Sequence, residues 1–259
     1  MKKQIEICSL ASSSKGNSYY VKCGATEILI DAGISAKCIC DGLNGIGTNI
    51  SNIKAIFVTH EHIDHVKGIE VLSKKHDIPI HMTKKCADEY SKSHNTRNIV
   101  FHEPDYIVTM DDVTVRSFFS SHDSVECVGY TVESDDDKFG LATDLGYVDR
   151  AAVEALLGCR SVVLESNYDE KMLMNGTYPP ELKARIKSAK GHLSNYDCAA
   201  FARYLAENGT SNFMLGHLSE ENNSPDIALN ITTRALKGFD NAVIKVAAVK
   251  TPTYFLPLF

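Results

Sequence analysis

Apolar runs of four to six residues, set between polar turn chemistry, mark the first quarter of the chain. Residues 5–10, 18–21, 28–31 and 55–59 follow this pattern, with turns such as SSSKGN at 12–17 between them, and they predict short strands. The period then changes. DHVKGIEVLSKKH (64–76) places Val66, Ile69 and Leu72 or Val71 on one face and lysines on the other, which predicts a helix. Further strands are expected at 79–82, 113–119, 127–132, 139–142 and 162–165. The last third turns helical: PPELKARIKSAKG (179–191) opens on prolines and closes on Gly191, and SNYDCAAFARYLAEN (194–208) begins with Ser194 as N-cap. Strands at 212–215 and 243–249 flank a helix opened by SPD. Strand-rich stretches with helices before and after them predict an α/β (α+β) fold, an αββα sandwich of two face-to-face sheets with helices outside. One domain over 1–259 is expected.

Composition narrows the class. The chain has 259 residues, 44% of them hydrophobic, enough for a full core. No apolar run is long enough to span a membrane, and the basic start MKKQIEICSL lacks an apolar leader segment, so a cytoplasmic protein without membrane attachment is expected. Eight scattered cysteines, with no CxxC pair, are expected as reduced core thiols, and Cys38 and Cys40 as two positions of a short helix. A net charge of −6 argues against holding nucleic acid by bulk electrostatics and leaves room for a local basic patch.

The densest chemistry is THEHIDH, Thr59 to His65. A strand ending at Thr59 delivers His60, His62, Asp64 and His65 to one edge of the sandwich. Imidazole and carboxylate together suit Zn, Fe or Mn, and four such groups exceed the needs of one open site. Two divalent ions are therefore expected, with further donors at other strand ends: His122 in FFSSHD, Asp144 in GLATDLG and His217 in FMLGHLS.

This arrangement resembles the metallo-β-lactamase-fold hydrolases, with Asp31 in ILIDAG matching the first motif, HEHIDH the second, and His122, Asp144 and His217 the third to fifth. The resemblance implies that His60, His62 and His122 hold one metal and Asp64, His65 and His217 the other, with Asp144 bridging. It makes Asp31 a residue that orients a histidine through its free ring N–H. His76, His81, His94 and His102 lack these settings and are expected outside the site. SLASSSKGNSYYV, LESNYDEKML, KGHLSN and LGHLSEENN also look like the WalJ (YycJ) group of bacterial exonucleases. One departure is SNYD where that group leads one to expect SNHD, which puts in question any role of a histidine at Tyr168.

What the resemblance implies is a two-metal phosphodiesterase or exonuclease acting on DNA or RNA through a metal-bridging hydroxide. The alternatives are a hydrolase of a small thioester, lactone or cyclic nucleotide, and, outside enzymes, a binding module that keeps metals for stability. Asp64 and His192 are the candidate catalytic residues. His192 matches a histidine that related nucleases place near the scissile phosphate, as phosphate contact or general acid, or else it caps its helix. Lys183, Lys187 and Lys190 form either a solvated helix face or a track for a nucleic-acid backbone. Lys15 and Asn17, with the serines of SSSKGN, either bind phosphate or make the turn.

Overall fold

A computed structural model describes residues 4–255, so the first three residues of the basic start lie outside it. Two seven-stranded sheets are present among the described residues. The first contains β1 (Glu6–Ala11), β2 (Ser18–Cys23), β3 (Thr26–Ile30), β4 (Ile53–Phe57), β5 (Ile80–Thr83) and β6 (Ile99–His102) in sequence order. The second contains β7 (Ile107–Met110), β8 (Val113–Ser120), β9 (Cys127–Glu133), β10 (Lys138–Ala142), β11 (Ser161–Glu165), β12 (Asn212–Gly216) and β13 (Val243–Val246). The last strand, β14 (Thr253–Tyr254), returns to pair with β1. Each sheet is antiparallel at first and parallel afterwards, from β3 to β6 and from β10 to β13.

The strands alternate between two buried faces, which is why they read as unbroken apolar runs. Ile28 and Ile30 of β3 enter the inter-sheet core with Phe57, Tyr130, Leu141 and Met214. Leu29 between them faces the outer layer of α1 (Ala36–Gly45), α2 (Ile63–Val66), α3 (Ile69–His76) and α4 (Lys84–Ser91). On the far side, Phe213 and Leu215 pack beneath α5 (Arg150–Leu156), α8 (Asn195–Glu207) and α9 (Pro225–Ala235). Shorter helices α6 (Glu170–Asn175) and α7 (Pro180–Ile186) lead into α8. The expected αββα sandwich is the architecture found.

The single helix expected over 64–76 is broken into α2 and α3. Gly68 donates to Ala32 O at 2.7 Å, and a Cβ there would come within 2.6 Å of Ile34 O, so the chain crosses another backbone at the break. Leu72, not Val71, lies on the buried face. The helix expected to reach Gly191 stops at Ile186, and His192 N–H donates back to Ile186 O at 2.9 Å across a closing turn. The last long strand ends at Val246 rather than 249. Ser194 caps α8 as expected, and Ser224 caps α9. All eight cysteines are free, but Cys38 is exposed and Cys40 half-buried on α1, so these two are not core thiols. No helix among the described residues is long and apolar enough to cross a membrane.

Candidate metal centre

The donor residues and Glu165 lie at or just beyond the C-terminal ends of β3, β4, β8, β10, β11 and β12, and His192 comes from the turn between α7 and α8. Carboxyl edges of parallel strands are where chain leaves the ladder and side chains converge. Asp31, Asp144 and His217, just beyond β3, β10 and β12, have φ of 60°, 56° and 54°. This left-handed conformation turns the chain sharply at the strand end, and Asp, Asn and His adopt it more readily than most residues. Asn17 makes the β1–β2 turn, with its amide donating to Ser13 O (2.9 Å), and its backbone N–H holds the Asp64 carbonyl at 2.8 Å. Gly33 is required beside it, since a Cβ there would lie 1.6 Å from Asp64 O. Lys15 is occupied by Glu220 at 2.9 Å.

One buried carboxylate orders two imidazoles. Asp31 accepts from the Thr59 N–H (2.8 Å), from the Thr59 hydroxyl (3.0 Å) and from His65 Nδ1 (2.7 Å). With its proton given to Asp31, Thr59 Oγ1 accepts from His60 Nδ1 at 3.0 Å. In their neutral form both rings thus present the Nε2 lone pair to the site. His122 is fixed the same way, its Nδ1 donating to Gly191 O at 3.0 Å. The rings of His60, His62 and His122 have centroids 4.5 to 5.2 Å apart.

Asp144 lies between two sets of histidines. Its Oδ1 is 3.5 Å from His122 Nε2, while its Oδ2 is 3.1 Å from both His65 Nε2 and His217 Nδ1. Asp64 Oδ2 is 3.4 Å from the same His65 nitrogen. Potential donor atoms of His60, His62 and His122 fall within 4.8 Å of one another, as do those of Asp64, His65 and His217, and of His60, His65 and Asp144. The seven residues expected to converge from sequence are brought together, and His76, His81, His94 and His102 lie outside these groups.

The electrostatics call for a cation. Burial alone would depress His65, but the carboxylates of Asp144, Asp31 and Asp64 hold it well above its ordinary value. Burial would raise Asp144, yet His217 and His65 keep it well below the carboxylate range. Burial, joined by the neighbouring imidazoles, pushes His60 and His122 down, so both are neutral lone-pair donors at pH 7. His60 Nε2, His217 Nδ1 and Asp144 Oδ2 are buried with no hydrogen-bond partner of good geometry. Native proteins seldom leave such atoms unsatisfied, and divalent ions held by the two histidine sets would satisfy them. The residues fit a metal centre.

His192 stands at the rim, 3.8 Å from Asp144 Oδ1, and its Nδ1 donates to Glu165 Oε1 at 2.7 Å. Burial opposes its charge, but Glu165 first, then Asp144 and Asp123, raise it to about 9. Glu165 is fully buried at the end of β11, and its Oε2 accepts from Leu145 N–H (2.7 Å) and Leu193 N–H (3.2 Å). Sequence reasoning gave it no role; an acid closing the run SVVLE was its only signal. Tyr168 is buried, and its carbonyl accepts from Asn195 N–H at 2.9 Å. Burial pushes its phenol up to about 12, and it joins none of the donor groups.

The lysines differ from one another. Lys183 donates to Met174 O (2.9 Å) and Gly176 O (2.8 Å), closing the end of α6, whereas Lys187 and Lys190 are exposed beyond the end of α7. A cavity of about 200 Å³ opens beside His192, walled by Arg185, Tyr178, Asn167 and Ser219.

The beta-lactamase superfamily domain matches residues 26–218 of the chain. The exodeoxyribonuclease YycJ of Bacillus anthracis is 36% identical over 238 residues, covering 89% of each chain. The exodeoxyribonuclease WalJ of Streptococcus pneumoniae serotype 2 (strain D39) is 37% identical over 225 residues, covering 85% of this chain and 83% of that one. Among solved structures, the metallo-beta-lactamase fold protein YhfI of Bacillus subtilis superposes with a TM-score of 0.75 at 16% identity, over 98% of this chain and 100% of that one.

Proposed function

The chain is a hydrolase of the beta-lactamase superfamily, in the family of the exodeoxyribonucleases YycJ and WalJ, and on that premise we propose that it removes nucleotides from DNA ends with the help of two divalent ions. His60, His62 and His122 would hold one ion and Asp64, His65 and His217 the other, with Asp144 between them. Zinc, manganese or iron suits such a set of imidazoles and carboxylates. When bound, a pair of ions supplies Lewis acidity to the phosphoryl oxygens and makes a water nucleophilic at neutral pH.

The observation that carries this reading is Asp144, whose two oxygens face different sets of histidines. A cysteine at that position would bind at a single sulfur, whereas a carboxylate can address both sides of a phosphodiester displacement. The remaining chemistry belongs to the chain's own residues. His192, anchored through Nδ1 to Glu165, would carry the proton to be transferred at Nε2. As the P–O bond breaks, that proton goes to the leaving oxygen, and Glu165 stabilises the imidazolium before transfer. Asp31 keeps His65 and, through Thr59, His60 in the tautomer that points Nε2 inward.

Metal-loaded protein should release mononucleotides progressively from end-labelled DNA, and RNA of the same sequence gives the comparison. Hydrolysis confined to small thioesters, lactones or cyclic nucleotides would overturn the reading.

A further inference from the structure

α7, which carries Lys183, also carries Arg185, to which sequence reasoning gives no role. Its Nε and Nη2 both engage Asp123 Oδ2. The other oxygen of that carboxylate, Oδ1, is buried without a hydrogen bond, 3.2 Å from His122 Nε2. Arg185 is therefore linked to the metal centre through one side chain. The cavity beside His192 is lined by Arg185, Tyr178, Ser14 and Ser219. Among the residues lining it, Arg185 alone carries a permanent positive charge.

Its geometry suits an anion. A guanidinium presents five N–H donors in a planar fork, and the edge formed by Nε and Nη2 is taken by Asp123. The Nη1 side remains, on a side chain that is 60% exposed at the cavity wall. Pinning one edge of the fork to a carboxylate fixes the direction of the other, so little freedom is lost when a ligand arrives. By contrast, Lys183 is spent on two carbonyls, and Lys187 and Lys190 do not line the cavity.

Resting on the nuclease reading, we infer that Arg185, positioned by Asp123, binds a phosphate group of the substrate strand adjoining the scissile one, and that the cavity beside His192 receives it. The phosphate is either the terminal monoester or the next internal diester.

The test compares wild type with Arg185→Ala and Arg185→Lys, all metal-loaded. The probe is a fluorescein-labelled, phosphorothioate-linked single-stranded oligonucleotide with a 5′-phosphate or a 5′-hydroxyl, followed by anisotropy. Loss of a charged, forked contact in Arg185→Ala should weaken binding roughly 10- to 100-fold, with Arg185→Lys intermediate. Metal content and Tm should stay at the wild-type level. A loss confined to the 5′-phosphorylated probe assigns the terminal phosphate, and an equal loss on both assigns the internal one. Binding by Arg185→Ala within about twofold of wild type on both probes overturns the inference, as does a loss that tracks metal content or Tm. Mononucleotide release is scored separately. Cleavage with unaltered Arg185→Ala binding sinks only the phosphate contact; Arg185-dependent binding without cleavage sinks only the nuclease reading.

Discussion

His65 Nδ1 donates to Asp31 Oδ2 at 2.7 Å, with both side chains shut off from solvent. Asp31→Asn would keep the volume but put an amide where an acceptor is needed, releasing His65 and, through Thr59, His60. Metal affinity should fall about 10- to 100-fold, as for other residues that orient a ligand. Competition with a chromogenic chelator measures it, and unchanged affinity would show that the two rings hold their orientation without Asp31.

The two histidine sets predict separable ions. His122→Ala and His217→Ala should each lower metal content from two ions per chain to about one, while Asp144→Ala should weaken both sites. Elemental analysis after extensive dialysis gives the count. Wild-type stoichiometry in either histidine variant removes that residue from the ligand set.

His192 should be needed for turnover and not for metal. Loss of a general acid lowers turnover by about two to four orders of magnitude, so His192→Ala should do so at full metal content. Glu165→Ala should slow the reaction too, and should also destabilise the fold by roughly 1–3 kcal/mol for each buried N–H left without its acceptor, Leu145 and Leu193. Loss of an ion in His192→Ala would make His192 a ligand instead.

His81 should give the fold an acid-sensitive term. It stacks on Phe57 at 4.8 Å and shares a 2.9 Å hydrogen bond with His102, and burial followed by His102 lowers it to about 4. The unfolded chain takes up that proton near pH 6.5, before the folded one does. Stability is therefore full above about pH 6.5 and falls as pH drops towards 4, by at most about 3 kcal/mol from this residue. Urea unfolding of metal-free protein at pH 7 and pH 4.5, with His81→Gln beside wild type, isolates the term. Parallel losses in the two proteins would rule it out.

Salt separates the lysines. Lys187→Ala and Lys190→Ala should each flatten the log–log salt dependence of DNA binding by about 0.7 to 0.9 if they contact phosphates. Lys183→Met should instead lower Tm, because it strips the carbonyls of Met174 and Gly176 of their donor. A salt slope that changes only with Lys183 would reverse this assignment.

Most of this was legible in sequence where burial or metal chemistry imposes a pattern. Strands buried on both faces, such as β3 and β12, announce themselves as apolar runs, and HEHIDH concentrates donors that an ordinary loop would not. The edge strands β6 and β7 are four residues each and only partly buried, so no face repeats often enough to be seen. Glu165 was missed for the opposite reason. It is wholly buried, but its partners are the N–H groups of Leu145 and Leu193 and the ring of His192, none of which is near in sequence or distinguished by residue type. Arg185 was masked by the lysines around it, since helical spacing does not say which cation meets a carboxylate.

The donors are divided across the seam of the sandwich. His60, His62, Asp64 and His65 follow strands of the first sheet, and His122, Asp144 and His217 follow strands of the second. A cation captured there works as a clasp between the two halves of the polypeptide, and its binding energy adds to the work of prying them apart. Metal supply then governs more than turnover: a chain starved of ions loses its fastening and opens to proteases sooner, so its cellular abundance should follow the metal it uses.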